Sequence, residues 1–555
     1  MKLTDKKRYC FLLLAAGGLL TGLTLVCPTV GFLEWLTLVP VGIFLLDCAT
    51  DPTLRLRRLY GYGLFFFLSF YLVVFHWFVN LYPLDFIDGM TKGAALAVVL
   101  VAWLGLSLLQ ALMGGLLFVA LGAVFRSRLA RRIPFLRPFL GAGAWAVYEW
   151  TQTLGWWGVP WGRLPLGQAK YLIGLQTASW FGSYFVTFLL VAVNFCLAYL
   201  ACGLLAKDKE THMPLLKKTC TAVAIMLVFQ YGAGTVIWLT GAGDEAKTVR
   251  VAVVQGNISS HEKWSASSIK RTRQVYRDYT IKAAEEGARI VVWPETSLPY
   301  VIEEDNAIGA FVSDLAVDAN TTILVGAFTE CEKGEYNSII CFTPDGKMLE
   351  TVYSKRRLVP FGEFVPLRGL IETLIPPLAE LVMSEGDVLW GEGAEIFELE
   401  EGAVGSLICF DSIYEGLTRE SVSEGAELIC LSTNDSWFTD SVALYMHNAQ
   451  AQLRAIESGR YVARAANTGI SAVISHRGEV LRELAPLVDG VLTEDVAMRS
   501  NTTLYTAIGN LFVYLWLAAL AAIVGTEAAF GILGRALDAK IKRKMGKQLD
   551  KPSKI

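Results

Sequence analysis

The sequence predicts a multi-span α-helical membrane bundle joined to an α/β domain of the αββα sandwich type, and three observations carry that prediction. Hydrophobic residues make up 54% of the 555 residues and charged residues only 18%, with a mean hydropathy of +0.44, more apolar surface than a soluble chain of this size hides from water. The excess is uneven: residues 9–239 form a series of long apolar runs, 248–498 has ordinary soluble composition, and a last apolar run occupies 504–532. Inside the polar stretch, short β-rich runs alternate with helical ones. The expected organisation is a bundle over 1–245, an α/β domain over 246–500, a final span over 501–535 and a basic tail over 536–555.

A helix needs about 20 mainly apolar residues to cross the hydrocarbon. Candidate spans cover 9–26, 30–48, 59–79, 94–124, 139–150 (short), 172–205 and 218–239, with 506–532 last. The first has no small-residue cleavage site and is read as a retained helix, not a leader. Orientation follows from the basic loops, because Lys and Arg near span ends stay on the cytoplasmic side. Lys6, Lys7 and Arg8 precede the first span, Arg55, Arg57 and Arg58 follow the second, Arg126, Arg128, Arg131 and Arg132 follow the fourth, and Lys207, Lys209, Lys217 and Lys218 follow the sixth. With the tail from Arg535 to Lys554 also basic, both termini are expected inside and the polar domain outside. The outer loops hold aromatic residues instead, as in His76-Trp77-Phe78 and Trp156-Trp157-Gly158-Val159-Pro160-Trp161-Gly162, residues that favour the headgroup level. Glu149 and Arg163 flank the second of these loops and have no assigned role.

A net charge of -3 gives no basic reading surface, so nucleic acid is not an expected partner. Ten cysteines include no CxxC pair or His-rich cluster, so neither a metal site nor a redox motif nor a cofactor is expected. Cys331 and Cys341 flank a hairpin, where a disulfide is one option. Cys430 reads as core and His447 as structural.

In the polar domain, strands are expected at 249–254, 289–293, 321–328, 338–342, 404–409, 428–432 and 469–475. Three strand ends carry candidate chemistry. Val291-Val292-Trp293-Pro294-Glu295 delivers a carboxylate, Tyr353-Ser354-Lys355-Arg356-Arg357-Leu358-Val359-Pro360-Phe361-Gly362-Glu363 a lysine, and Gly405-Ser406-Leu407-Ile408-Cys409-Phe410-Asp411 a thiol. A base, a cation and a thiol are the parts of an activated sulfur nucleophile.

Taken with Asn434-Asp435-Ser436-Trp437-Phe438 and residues 454–467, these segments resemble the nitrilase (carbon-nitrogen hydrolase) superfamily, and a nitrilase-like domain set between membrane spans resembles the bacterial apolipoprotein N-acyltransferases. The resemblance covers essentially the whole chain. It implies Glu295 as general base, Lys355 as the cation on the oxyanion and Cys409 as nucleophile, with Glu363 as a second active-site glutamate and Trp264 as a functional loop residue. Phe410 and Asp411 depart from the Tyr and Glu usual after the nucleophile. The implied reaction takes an acyl chain from a phospholipid onto Cys409 and then passes it to the α-amino group of a diacylglyceryl-cysteine on an apolipoprotein, two half-reactions at one thiol. The bilayer would supply both substrates laterally in a bacterial inner membrane with the catalytic domain periplasmic, and residues 367–390 read as a lid. A membrane-anchored amidase or nitrilase is the alternative, since the triad does not distinguish water from amine as second nucleophile. A transporter or receptor with a nitrilase-like binding domain is a third reading.

Overall fold

The computed structural model describes residues 7–51, 53–84, 90–206, 209–241, 247–259, 263, 268–374 and 388–549. All eight apolar segments contain helix: α1 (Lys7–Val26), α2 (Glu34–Thr37) with α3 (Val39–Thr50), α4 (Leu56–Val74), α5 (Lys92–Phe125), α6 (Arg137–Thr151), α7 (Ser183–Leu204), α8 (Lys209–Thr240) and, after the polar domain, α13 (Leu511–Leu549). The second is broken at Leu38, and Pro40 sits in the opening turn of α3, where a missing N–H costs nothing. The expected span 172–205 is shorter than its hydropathy suggests. Two short turns occupy Leu172–Leu175 and Ala178–Phe181, and Gly182, at φ +78°, separates them from α7.

Among the described residues, six helical stretches are long and apolar enough to cross a membrane: Tyr9–Val26, Pro28–Ala49, Lys92–Phe125, Ser183–Leu204, Met213–Thr240 and Leu511–Ile532. The other two apolar segments, α4 and α6, pack closely against neighbouring helices. α4 carries Arg57 and Arg58 in its first turn and packs between α1 and α5. α6 has 15 residues and packs against α5, α7 and α13. Its run Gly141-Ala142-Gly143-Ala144 lets neighbours approach closely: a Cβ on Gly143 would stand 2.2 Å from the Trp516 ring. By contrast only 6% of the α13 span is buried, which leaves its Leu511, Leu515 and Ile532 facing outward as lipid-facing residues do.

The polar domain is two six-stranded sheets. The first runs β12-β1-β2-β3-β4-β5 and the second β11-β10-β9-β8-β7-β6, with β1 at Thr248–Gln255, β2 at Ile290–Val292, β3 at Thr322–Cys331, β4 at Gly334–Phe342, β5 at Met348–Ser354, β6 at Ile396–Leu399, β7 at Gly402–Ile408, β8 at Leu428–Thr433, β9 at Tyr461–Ala466, β10 at Ala472–Ile474, β11 at Val480–Glu483 and β12 at Gly490–Ala497. The parallel strands β2 and β8 are buried throughout, and β1, β3, β7 and β9 are buried over most of their length. Val251, Val253, Val292 and Leu324 of one sheet meet Ile408, Leu428, Cys430 and Ala463 of the other in the central core. Helices α9 (Ile269–Glu285) and α10 (Ala307–Ala319) cover the outer face of the first sheet. Helices α11 (Glu415–Ser423) and α12 (Val442–Ser458) cover the second, completing the αββα layers.

The α11/α12 layer is also where the bundle attaches, and its apolar core is continuous with that of the membrane helices. Arg163, fully buried, donates to Glu415 Oε2 at 3.2 Å, Gln450 Oε1 at 3.1 Å and the Ile413 carbonyl at 3.3 Å. Tyr184 of α7 donates to the other Glu415 oxygen at 2.8 Å, and Gln450 donates to the Pro160 carbonyl at 3.1 Å. Glu149 accepts from the Leu164 N–H at 3.1 Å and Thr187 at 2.6 Å. Of the two residues left without a role by sequence, Arg163 thus ties the two parts together, and Glu149 fixes the loop next to it within the bundle.

Cys331 and Cys341 are free thiols. The β3–β4 register pairs Cys331 with Gly334 at the turn and Cys341 with Leu324 deep in the sheet, so one is exposed and the other buried.

Candidate active site

The three expected residues converge at the seam between the sheets. Glu295 leaves the end of β2, Lys355 directly follows β5, and Cys409 directly follows β7. Lys355 Nζ lies 2.8 Å from Glu295 Oε1 and 2.9 Å from Glu363, so one buried ammonium bridges two carboxylates. Burial opposes that charge, but Glu295 and Glu363 outweigh it, with a further contribution from Cys409, and hold the lysine well above its usual range. Asn337 of β4 donates from Nδ2 to Glu295 Oε1 at 2.8 Å and to Glu363 Oε1 at 3.1 Å. The Asn434 N–H donates to Glu295 Oε2 at 2.8 Å, and the Val359 N–H to Glu363 Oε2 at 2.8 Å. Gly326 makes the position of Glu295 attainable, because a Cβ there would stand 2.2 Å from the Pro294 carbonyl oxygen.

Cys409 opens a short 3-10 turn with φ +46°, a left-handed conformation that costs a non-glycine residue energy and persists only where surroundings enforce it. Its carbonyl oxygen accepts from Ser412 Oγ at 2.8 Å and lies 3.2 Å from His447 Nε2. His447 Nε2 is also 3.0 Å from Ser412 Oγ, while its Nδ1 faces Asp435 Oδ1 at 3.0 Å. Arg464 donates to Asp435 Oδ2 at 2.7 Å, and these charges hold Asp435 well below the usual carboxylate range despite its burial. Burial pushes the Cys409 thiol well above its usual range, and Glu295 adds to the shift; Lys355 opposes it. The resting sulfur is therefore a thiol that needs a base.

The departures at Phe410 and Asp411 have a geometric account. Asp411 is fully buried and accepts four hydrogen bonds: from Tyr353 OH at 2.9 Å and the Ile408 N–H at 3.2 Å on Oδ2, and from the N–H groups of Arg356 at 3.2 Å and Arg357 at 2.7 Å on Oδ1. Its short side chain fastens the segment after Lys355 to the turn that Cys409 opens. Burial pushes its carboxyl up to about 6, with Lys355 pulling the other way. Phe410 is half-buried and packs edge-on against Tyr414 at 5.5 Å.

Trp264 lies outside the described residues, as does 375–387 of the expected lid. Sequence reasoning missed Asn337, Ser412 and Lys263, and it gave His447 no partner. Lys263 is buried and donates to the Glu295 carbonyl at 3.1 Å and to Thr296 Oγ1. Burial presses its amine down to about 7, with Glu295 opposing. The adjacency of Lys263 to Trp264 was the signal available for it. Among the described residues, Cys409, Asp435 and His447 offer ligand-type atoms within 4.8 Å of one another. The Asp435 and His447 atoms are already committed to Arg464, Thr433, Ser412 and each other.

The family model described as Carbon-nitrogen hydrolase matches residues 250–503, the stretch that holds Glu295, Lys355 and Cys409. A second model, described as Apolipoprotein N-acyltransferase N-terminal domain, matches residues 17–196. The chain is 31% identical over 530 residues to the apolipoprotein N-acyltransferase of Gloeobacter violaceus, covering 94% of this chain and 95% of that one. It is 28% identical over 467 residues to that of Synechocystis sp., covering 81% and 86%. Among solved structures, Saccharomyces cerevisiae Nit3, a member of branch 10 of the nitrilase superfamily, matches 46% of this chain and 93% of its own length at 19% identity, with a TM-score of 0.37. The chain belongs to the apolipoprotein N-acyltransferase family.

Proposed function

We propose that this enzyme moves an acyl chain from a membrane phospholipid, through a thioester on Cys409, to the N-terminal α-amino group of a diacylglyceryl-cysteine on an apolipoprotein. The observation that carries the reading is the Lys355 ammonium held between Glu295 and Glu363 at the strand ends where Cys409 emerges. Glu295 Oε1 accepts from Lys355 and Asn337 and Oε2 from Asn434. That leaves an acceptor position on Oε2 for the thiol proton. As sulfur attacks the ester carbonyl, Glu295 takes the proton, and negative charge on the carbonyl oxygen meets Lys355 and the Phe410 N–H, which at the start of a 3-10 turn has no intrahelical acceptor. Collapse expels a lysophospholipid, whose alkoxide takes the proton from Glu295. The amine of the acceptor then attacks the thioester, Glu295 takes its proton, and thiolate leaves to be reprotonated.

The bundle's role is access. The domain joins the bundle through Arg163, Tyr184 and Gln450, and the aromatic loop 156–162 lies at the same joint. A site bordered by lipid receives both substrates laterally and excludes water, which favours transfer over hydrolysis. The basic loops support the two termini on the cytoplasmic side of a bacterial inner membrane, with 246–500 on the periplasmic side between the bundle over 1–245 and the span over 501–535.

The test is intact mass spectrometry of detergent-solubilised enzyme with phospholipid, followed by a diacylglyceryl lipopeptide. An acyl-sized gain that Cys409→Ala abolishes and that moves to the peptide amine is the expected result. An adduct lost only to water makes the enzyme a hydrolase.

A further inference from the structure

The two proposed substrates are chemically alike where they are apolar and differ at the third glycerol carbon. The donor carries a phosphodiester there, and the acceptor carries a cysteine thioether with no phosphate. A site that must admit each in turn gains from a cation that answers the donor alone.

We propose that the guanidinium of Arg357 receives the phosphodiester of the acyl donor. Arg357 stands two residues beyond Lys355, and its N–H is fixed to Asp411 at 2.7 Å, so its backbone moves with the nucleophile turn. Its guanidinium lies over the Tyr414 ring, 4.7 Å from the centroid. Tyr414 packs against Phe410, the residue after the nucleophile, and its hydroxyl donates to the Gly158 carbonyl at 3.0 Å. Gly158 belongs to the aromatic outer loop whose Trp156 and Trp157 are exposed, rings of the kind that settle at the headgroup level. The cation therefore stands where the reacting turn meets the depth of lipid phosphates.

The other cations nearby are committed. Lys355 bridges Glu295 and Glu363, Arg356 pairs with Glu420 at 2.8 Å, and Arg163 pairs with Glu415. Among the described residues no carboxylate pairs with Arg357, and the side chain is half-buried. A guanidinium held over an aromatic ring still has N–H donors free, and their fork matches a phosphate bidentately. In a glycerophospholipid the ester carbonyl and the phosphate are one glycerol apart, so a carbonyl seated at Cys409 delivers the phosphate to the rim of the same turn.

This inference rests on the thioester reading, and the experiment separates the two. Acylation of Cys409 is followed by time-resolved intact mass with two donors, a phosphatidylethanolamine in detergent micelles and p-nitrophenyl palmitate, which has no phosphate. Arg357→Met should slow acylation by the phospholipid about 10- to 100-fold and leave the rate with p-nitrophenyl palmitate unchanged, with Arg357→Lys intermediate because it keeps the charge and loses the fork. Release of the preformed acyl group to a diacylglyceryl lipopeptide should be unchanged in both variants. Equal slowing with both donors would make Arg357 a structural residue and overturn the assignment, as would an unaltered rate with phospholipid. Wild-type enzyme that gains no acyl mass from either donor would instead remove the thioester reading itself.

Discussion

Arg163 and Glu415 face each other at 3.2 Å across 252 residues of sequence, one from a loop between membrane helices and the other from the first turn of α11, and both are buried. Removing one partner strands the other charge away from water, which typically costs about 3–5 kcal/mol. Arg163→Met and Glu415→Gln should each lower the melting temperature in detergent markedly, and the double variant should recover part of the loss. Additive losses in a thermal scan would contradict the coupling.

At the reaction centre, Glu295→Gln keeps the shape but cannot take a proton, and Lys355→Met leaves the developing oxyanion without its cation. Each should lower the rate of Cys409 acylation by about two to four orders of magnitude. Glu363→Gln keeps one acceptor for Lys355 and Val359 and should be milder. If Glu363→Gln proved as damaging as Glu295→Gln, the carboxylate nearer the thiol proton would have to be reassigned.

His447 and Ser412 hold the carbonyl of Cys409, and a trans peptide that points its carbonyl toward them points the Phe410 N–H the opposite way. His447→Ala should therefore reduce the acylation rate constant by about 10- to 100-fold with little change in apparent donor affinity, since it loosens one oxyanion donor without touching the lipid. A rise in KM with unaltered kcat would argue for a role in binding instead.

Asp411 has no slack. Asp411→Glu inserts a methylene into a fully buried, fully bonded position and should cost about 1–3 kcal/mol of stability. Asp411→Asn turns an acceptor of four hydrogen bonds partly into a donor and should impair both stability and acylation. Phe410→Tyr, on a half-buried ring, should be tolerated in both assays.

Lys263 carries a pH signature. Its amine is pushed down to about 7 in the folded protein, against about 10.4 in an unfolded chain. Between those values the unfolded chain binds the extra proton, so this group's contribution to stability rises with pH through the window and is lost as pH falls through 7. Melting temperature measured from pH 7 to 10 should climb more steeply for the wild type than for Lys263→Met. Parallel curves would show that Lys263 stays charged when folded.

Much of the site was legible because its residues sit where a strand pattern stops. Glu295 and Cys409 sit at the ends of expected strands, 289–293 and 404–409, whereas the strand that delivers Lys355, Met348–Ser354, is not among the expected ones and the lysine stands out by its Pro- and Gly-bounded segment. Asn337 and His447 lie inside β4 and α12, where no change of pattern marks a polar residue turned toward chemistry. Their partners are 42 and 38 residues away, and only the packing of the sheets brings them into reach. The membrane helices show the opposite limit. Hydropathy marked eight apolar segments that all hold helix, six of them long and apolar enough to cross among the described residues, yet it ran residues 172–205 together as one span, because an apolar 3-10 turn scores like an apolar helix. What ends it is the backbone freedom of Gly182.

β1 finds its antiparallel partner in β12, with Thr248 opposite Ala497. Since the first of these strands leaves the ribosome long before the second, the sheet that carries Glu295 and Lys355 stays open at one edge through most of synthesis. Val249, Val251 and Val253 wait for Leu492 and Val496. That edge is closed only once about 90 residues beyond Cys409 have been made, so the last strand of the domain completes the sheet that its first strand begins.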